Sequence, residues 1–190
     1  EINLIRSYYE EEERIIQALI LNLYRQELAT DNNINLKPVI LFKAKKTIKE
    51  SEENKERFHK LIEGLTEKHI ENLQSTSTLP IIQKAFSYFQ KKNISHQVIV
   101  DRIKSYFKEE NCISANNDAE AELNQIRLNT LEDENNPIRA VFAVQKLNEG
   151  WDVLNLFDIV RLYDGRDGKA GNPGKTTIAE AQLIGRGARY

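Results

Sequence analysis

Three side chains near the carboxyl end carry the densest chemistry in this chain. Gln182, Arg186 and Arg189 follow one another by four and then three positions. Thr177 and Glu180 make a capping box that should start a helix just before them, so all three would stack along one helical face. Guanidiniums and an amide present many N–H donors and a single acceptor, a set that suits a polyanion such as a nucleoside triphosphate. Gly185 and Gly187 flank Arg186. Each costs a helix about 1 kcal/mol relative to Ala, which is tolerated where something must approach the backbone closely. A bare R-x-x-R is usually a pair of solvated arginines on a surface helix. The full Q-x-x-G-R-x-x-R spacing behind a capping box favours function.

Those residues need a scaffold, and the hydrophobic pattern predicts an α/β one. Residues 8–29 read as a helix, with Glu10 to Glu13 at its start and Ile16, Leu19, Ile20 and Leu23 at core spacing. Pro38 to Phe42 is the short continuous apolar run of a strand buried on both faces of a parallel sheet. A charged helix follows from Thr47 to about Leu73, with a stripe at Phe58, Leu61, Ile62 and Leu65. Pro80 fits the first turn of the next helix, with Ala85, Phe86 and Phe89 inward. Val98 to Lys108 reads as strand or helix. Cys112 to Ala115 reads as a short strand. Ala119 to Leu131 reads as a helix with Leu123, Ile126 and Leu131 inward, and Leu131 to Asn136 as an acidic loop. After Pro137 come strand, turn, strand, glycine loop and helix. Strands separated by helices imply a parallel sheet with right-handed crossovers, whose ligands bind at the carboxyl ends of the strands. Lys43, the Gly150 turn and the Asp164 loop are expected to emerge there.

Gln182 to Arg189, Q-L-I-G-R-G-A-R, resembles motif VI of superfamily 2 helicases and translocases. Ala140 to Val153, A-V-F-A-V-Q-K-L-N-E-G-W-D-V, resembles their motif V. The wordings L-N-E-G-W-D-V and A-E-A-Q-L-I-G-R-G-A-R-Y look most like the Res subunit of type III restriction enzymes. The resemblance covers about residues 36–190. It implies a second RecA-like motor domain there, with residues 1–35 as a helical linker or extension. It also implies roles: Arg189 as arginine finger, Arg186 as a second phosphate-facing cation, and Gln182 positioning water or the γ-phosphate. Asp152 would reach the nucleotide ribose from the Gly150 turn, although such an aspartate also caps turns in plain structural use. Lys43 and Lys45 look like motif IV and would touch a nucleic-acid backbone, unless they are solvated lysines closing a strand. Lys175 and Thr176, on a glycine loop, would touch DNA or the partner domain. Leu183 departs from the arginine that many relatives carry, and Val144 or Gln145 from the motif V hydroxyl. Trp151 reads as a packing residue.

Two further patterns fail on inspection. Gly168 to Thr176 looks like a phosphate loop, but Lys169 stands where the first glycine is required. Asp167-Gly168-Lys169 has the D-x-K form of metal-dependent nucleases, but Gly165, Gly168 and Gly171 argue for a loop instead of the strand that chemistry needs. His59, His69 and His96 show no ligand spacing; the first two sit on a charged helix and read as solvated. No metal site is expected within the chain.

Composition bounds the rest. Lys plus Arg number 27 against 29 Asp plus Glu, a formal charge of -2, so nucleic-acid contact has to come from local placement of charge. The single Cys112 excludes an internal disulfide. No apolar run is long enough to span a bilayer, and a soluble, cytoplasmic protein without membrane contact is expected. With no Met, even at position 1, the sequence reads as a piece of a longer chain or as one lacking modified residues. The reading that follows is half of a motor. ATP and Mg²⁺ would be held mainly by a first RecA-like domain of the same polypeptide, double-stranded DNA would be the track, and a modification methyltransferase subunit the companion. The 190 residues alone are expected to be inactive. The rivals are a non-catalytic α/β module that holds nucleic acid or protein, and the motor of a type I restriction or DNA repair helicase.

Overall fold

The computed structural model describes residues 11–45, 47–115, 121–144 and 155–163, with the side chains of 121–123 left aside. Four strands form one sheet in the order β2-β3-β1-β4, every neighbouring pair parallel. They are β1 (Val39–Lys43), β2 (Cys112–Ser114), β3 (Ala140–Ala143) and β4 (Leu156–Arg161). The architecture is the expected α/β one, a parallel sheet flanked by helices, consistent with a RecA-like fold. Alternation along β1 explains why its sequence is continuously apolar. Ile40 and Phe42 enter one apolar cluster while Val39 and Leu41 enter another on the opposite face.

Chain direction decides which helices cover which face. From β1 the chain crosses to the far edge at β2 through α2 (Ile48–Gly64), α3 (Glu67–Thr76), α4 (Pro80–Lys91) and α5 (His96–Tyr106). It then steps back to β3 through α6 (Ala121–Asn129). Two right-handed crossovers in opposite directions must use opposite faces. Accordingly Phe58, Ile70, Phe89 and Ile103 pack with Ile40 and Phe42, whereas Leu128 packs with Leu41 and Val141.

The first helix, α1 (Glu11–Asp31), opens on Glu11, Glu12 and Glu13 as its dipole favours. The expected single stripe is an understatement, because every residue from Ile15 to Tyr24 is buried. Such a helix lies inside the protein. Ile16, Leu19, Ile20 and Leu23 share one cluster with Ile40, Phe142 and Val160 of the sheet. The buried Asn22 amide donates to the Pro38 carbonyl at 2.9 Å. Arg25 pairs with Asp158 on β4, and burial raises that carboxyl above its usual range in spite of the guanidinium. Arg25→Met would strand this carboxyl, whose side chain is only 12% exposed. It is expected to cost about 3 kcal/mol in urea unfolding, most of it recovered by adding Asp158→Asn.

Other expectations shift in detail. The single charged helix over 47–73 is two helices. Leu65, extended and 1% exposed, drops into the core after Gly64, and Thr66 starts α3 with its N–H donating to His69 Nδ1 at 3.1 Å. Val98 to Tyr106 settle as helix: Ser95 Oγ caps Val98 N–H at 3.3 Å, and Ile99, Ile103 and the C-cap Phe107 are buried at i, i+4, i+8. Leu131, just past α6, is buried as expected, but on α6 the expected inward Ile126 is 56% exposed. The buried positions of the helix include Asn124 and Leu128. Asn124 escapes the pattern because it is polar yet buried, donating to the Ser114 carbonyl at 3.1 Å. Leu123 lies outside the described side chains.

Candidate functional site

A parallel sheet collects all its strand ends at one edge, and here Lys43, Ser114, Ala143 and Arg161 are the last strand residues. The ladder runs one residue further and holds the edge rigid. Ala44 N–H donates to Ala143 O at 2.9 Å, Ala115 N–H to Phe142 O at 2.8 Å, and Leu162 N–H to Lys43 O at 3.0 Å. The chain leaves β3 at Val144 and β4 at Tyr163 on this same edge. Beneath it, Phe42 stacks on Phe142 with centroids 4.9 Å apart, and Phe58 from α2 meets both, at 5.0 and 5.3 Å. The edge therefore rests on a close-packed aromatic floor.

Lys43 stands where the sequence places it, at the exit of β1, but it is no solvated lysine. It is 1% exposed. Burial, with the Arg161 charge beside it, pushes its ammonium down to about 8. Lys45 is half-buried two residues on. Val144, directly after β3, is buried, and Gln145 lies outside the described residues. Gly150, Trp151, Asp152, Lys175, Thr176, Gln182, Leu183, Arg186 and Arg189 all lie outside the described residues. Sequence reasoning gave Arg161 no role. Its signal was a cation closing an apolar strand, the same signal that marked Lys43.

Two helices point their amino ends toward this edge. α2 begins directly after β1, and α6 carries the chain back from β2, so both add positive potential there. The first turn of α2 is closed by its own box: Glu50 N–H donates to Thr47 Oγ1 at 3.1 Å and Thr47 N–H to Glu50 Oε2 at 3.2 Å.

The histidines do not converge. His69 is exposed and serves the α3 cap. His96 Nε2 lies 2.6 Å from Gln74 Oε1. His59 departs from the solvated expectation: it is half-buried, edge-on to Phe58 at 5.7 Å, its Nε2 is buried without a hydrogen-bond partner, and burial lowers its pKa. Cys112 is buried with its thiol pushed up to about 12 by desolvation, which makes it a packing residue. Among the described residues no group of three or more His, Cys, Asp or Glu could hold a metal ion, and no helix is long and apolar enough to cross a membrane.

No family model matches the chain, and no solved structure matches it. The chain is 34% identical over 196 residues to a protein of Haemophilus influenzae described as a probable type III restriction-modification enzyme HindVIP Res subunit. The alignment takes in 90% of this chain and 37% of that protein, so the chain spans well under half of its relative's length.

Proposed function

We propose that the chain is the second-motor-domain segment of an ATP-dependent DNA translocase, the Res subunit of a type III restriction enzyme. The observation that carries the reading is the likeness to such a subunit over 90% of the chain. The parallel sheet, whose carboxyl edge is the general ligand edge of α/β folds, agrees with it. In this reading Arg189 stabilises charge on the transferred phosphoryl group, Arg186 neutralises a neighbouring phosphate and Gln182 positions the attacking water. Asp152, on the Gly150 turn, contacts the ribose. Lys43, Lys45, Lys175 and Thr176 belong to the DNA track.

The 190 residues contain no complete phosphate-loop pattern, since Lys169 replaces its first glycine. The lysine that cradles the triphosphate and the acidic residues that hold Mg²⁺ are therefore assigned to a first RecA-like domain of the parent polypeptide. ATP is the fuel, bound between the two domains. Double-stranded DNA is the track, and a modification methyltransferase subunit is the companion. A phosphate-release assay tests the division of labour. The 190-residue chain should show no DNA-stimulated ATP turnover, while the full parent polypeptide should. Turnover by the chain alone would overturn the half-motor reading.

A further inference from the structure

We propose that α1 is a fixed strut of this domain: it moves with the sheet as one body, receives the incoming chain at the carboxyl edge, and passes the pull of a preceding domain directly to β1 and β4. The inference rests on the proposed function only in taking a first motor domain to precede it.

The direction of α1 follows from what its two halves touch. The Asn22 amide donates to the carbonyl of Pro38, just before β1, and Arg25 meets Asp158, the register partner of Ile40. This half of the helix lies at the amino ends of the strands. From Asn22 back to Glu11 a helix rises about 16 Å, and from Pro38 to Lys43 a parallel strand climbs about 16 Å. Glu11 is thus level with the last residue of β1. Its carboxylate pairs with Arg57 at 3.0 Å, next to Phe58, whose ring rests on Phe42 and Phe142 near the carboxyl ends of their strands. The chain comes into the domain at the ligand edge and reaches β1 only after crossing the full height of the sheet.

An appended helix would bury one stripe and end in a loose joint. α1 does neither. It is buried continuously from Ile15 to Tyr24, which leaves no face on which it could swing. Its polar groups beyond that stretch are held by separate elements. Gln26 accepts from Arg139, just before β3, at 3.0 Å; Glu27 pairs with Arg102 of α5 at 2.6 Å; and Asp31 pairs with Lys92, just past α4, at 2.6 Å. Such pairs are worth little one at a time, but a swing of α1 would break them all together with Arg25–Asp158. The connection to β1 is held as well. Ile34 N–H donates to Ala29 O at 2.8 Å, and the Asn155 amide donates to Lys37 O at 3.1 Å. Motion of a preceding domain is not absorbed between α1 and β1.

Two measurements test the strut. Native-state hydrogen exchange on the 190-residue chain, read by mass spectrometry, reports whether α1 opens by itself. The amides of Ile15 to Tyr24 are expected to exchange as slowly as those of β1 and β3, and Arg25→Met should speed all three elements by the same factor. Exchange of α1 well ahead of the strands, or a speeding confined to α1, would overturn the proposal. In the parent polypeptide, Asp31→Cys with Lys92→Cys, joined by a short bismaleimide, ties the carboxyl end of α1 to the end of α4. Cys112 is buried and does not compete for the reagent, and each single-cysteine variant treated alike is the control. DNA-stimulated ATP turnover should be the same with and without the bridge, whereas its loss on bridging would show that α1 must swing. A wild-type parent without turnover would count against the motor reading alone, and the exchange measurement would still decide the strut.

Discussion

Arg189→Ala in the full-length parent protein is expected to lower DNA-stimulated ATP turnover by roughly 10³- to 10⁵-fold, the range an arginine finger supplies. The melting curve of the purified protein should stay within the spread of ordinary surface substitutions. The size of the effect follows from where an arginine finger acts. Charge develops on the phosphoryl oxygens in a cleft that has closed against water, so a preorganised guanidinium there is worth far more than an exposed one. Arg189→Lys keeps the charge but loses the fork, and should recover only a small part of the rate. Nucleotide affinity should change much less than the turnover number, because the interaction is made chiefly in the transition state. A variant that hydrolyses ATP at near the wild-type rate would remove Arg189 from the mechanism and leave Arg186 as the candidate.

Phe58→Ala is expected to be the most damaging single substitution in the described core, at about 3–5 kcal/mol in chemical denaturation. Phe58 is fully buried. Its ring lies 5.0 Å from Phe42, 5.3 Å from Phe142 and 5.9 Å from Phe107. Truncation removes a side chain through which α2 meets both central strands and Phe107, just past α5. The stacked pair Phe42–Phe142 cannot relax into the hole, because both rings are fixed by the ladder register Phe42↔Phe142. The transfer loss is therefore joined by a cavity term and by lost edge-to-face contacts. For a domain of this size the midpoint should fall by about 2–4 °C for each kcal/mol. Phe58→Leu should lose less than half as much, since it refills most of the volume. A loss below about 1 kcal/mol for Phe58→Ala would show that the site collapses readily, and that the aromatic floor under the carboxyl edge is not rigid.

Much of the fold was legible because its signals are local. The apolar run 38–42 could only be a strand buried on both faces. Pro80 marked the start of α4 by its chemistry. Short strands set between helices implied a parallel sheet, and the sheet is parallel throughout its described strands. Where the reading failed, the deciding term was non-local. Nothing in 65–66 forbids a continuous helix strongly; the break occurs because Leu65 gains more by entering the core than by continuing a turn. The inward place of Asn124 on α6 was missed because it counts as polar in any pattern, and its hydrogen bond to the Ser114 carbonyl of β2 helps to satisfy it there.

The site divides along the same line. Residue type and spacing by themselves determined the α/β class and the failure of the phosphate-loop pattern, since each is set by neighbours in sequence, whereas the expected cationic face 182–189 and Gly150–Asp152 turn lie outside the described residues. Tertiary structure alone decided that Lys43 is buried and not solvated, that Arg161 stands opposite it, and that α1 is enclosed through Ile15–Tyr24. Those facts depend on strand order and register, which bring together residues more than a hundred positions apart, and the free energy that selects them is a property of the packed whole.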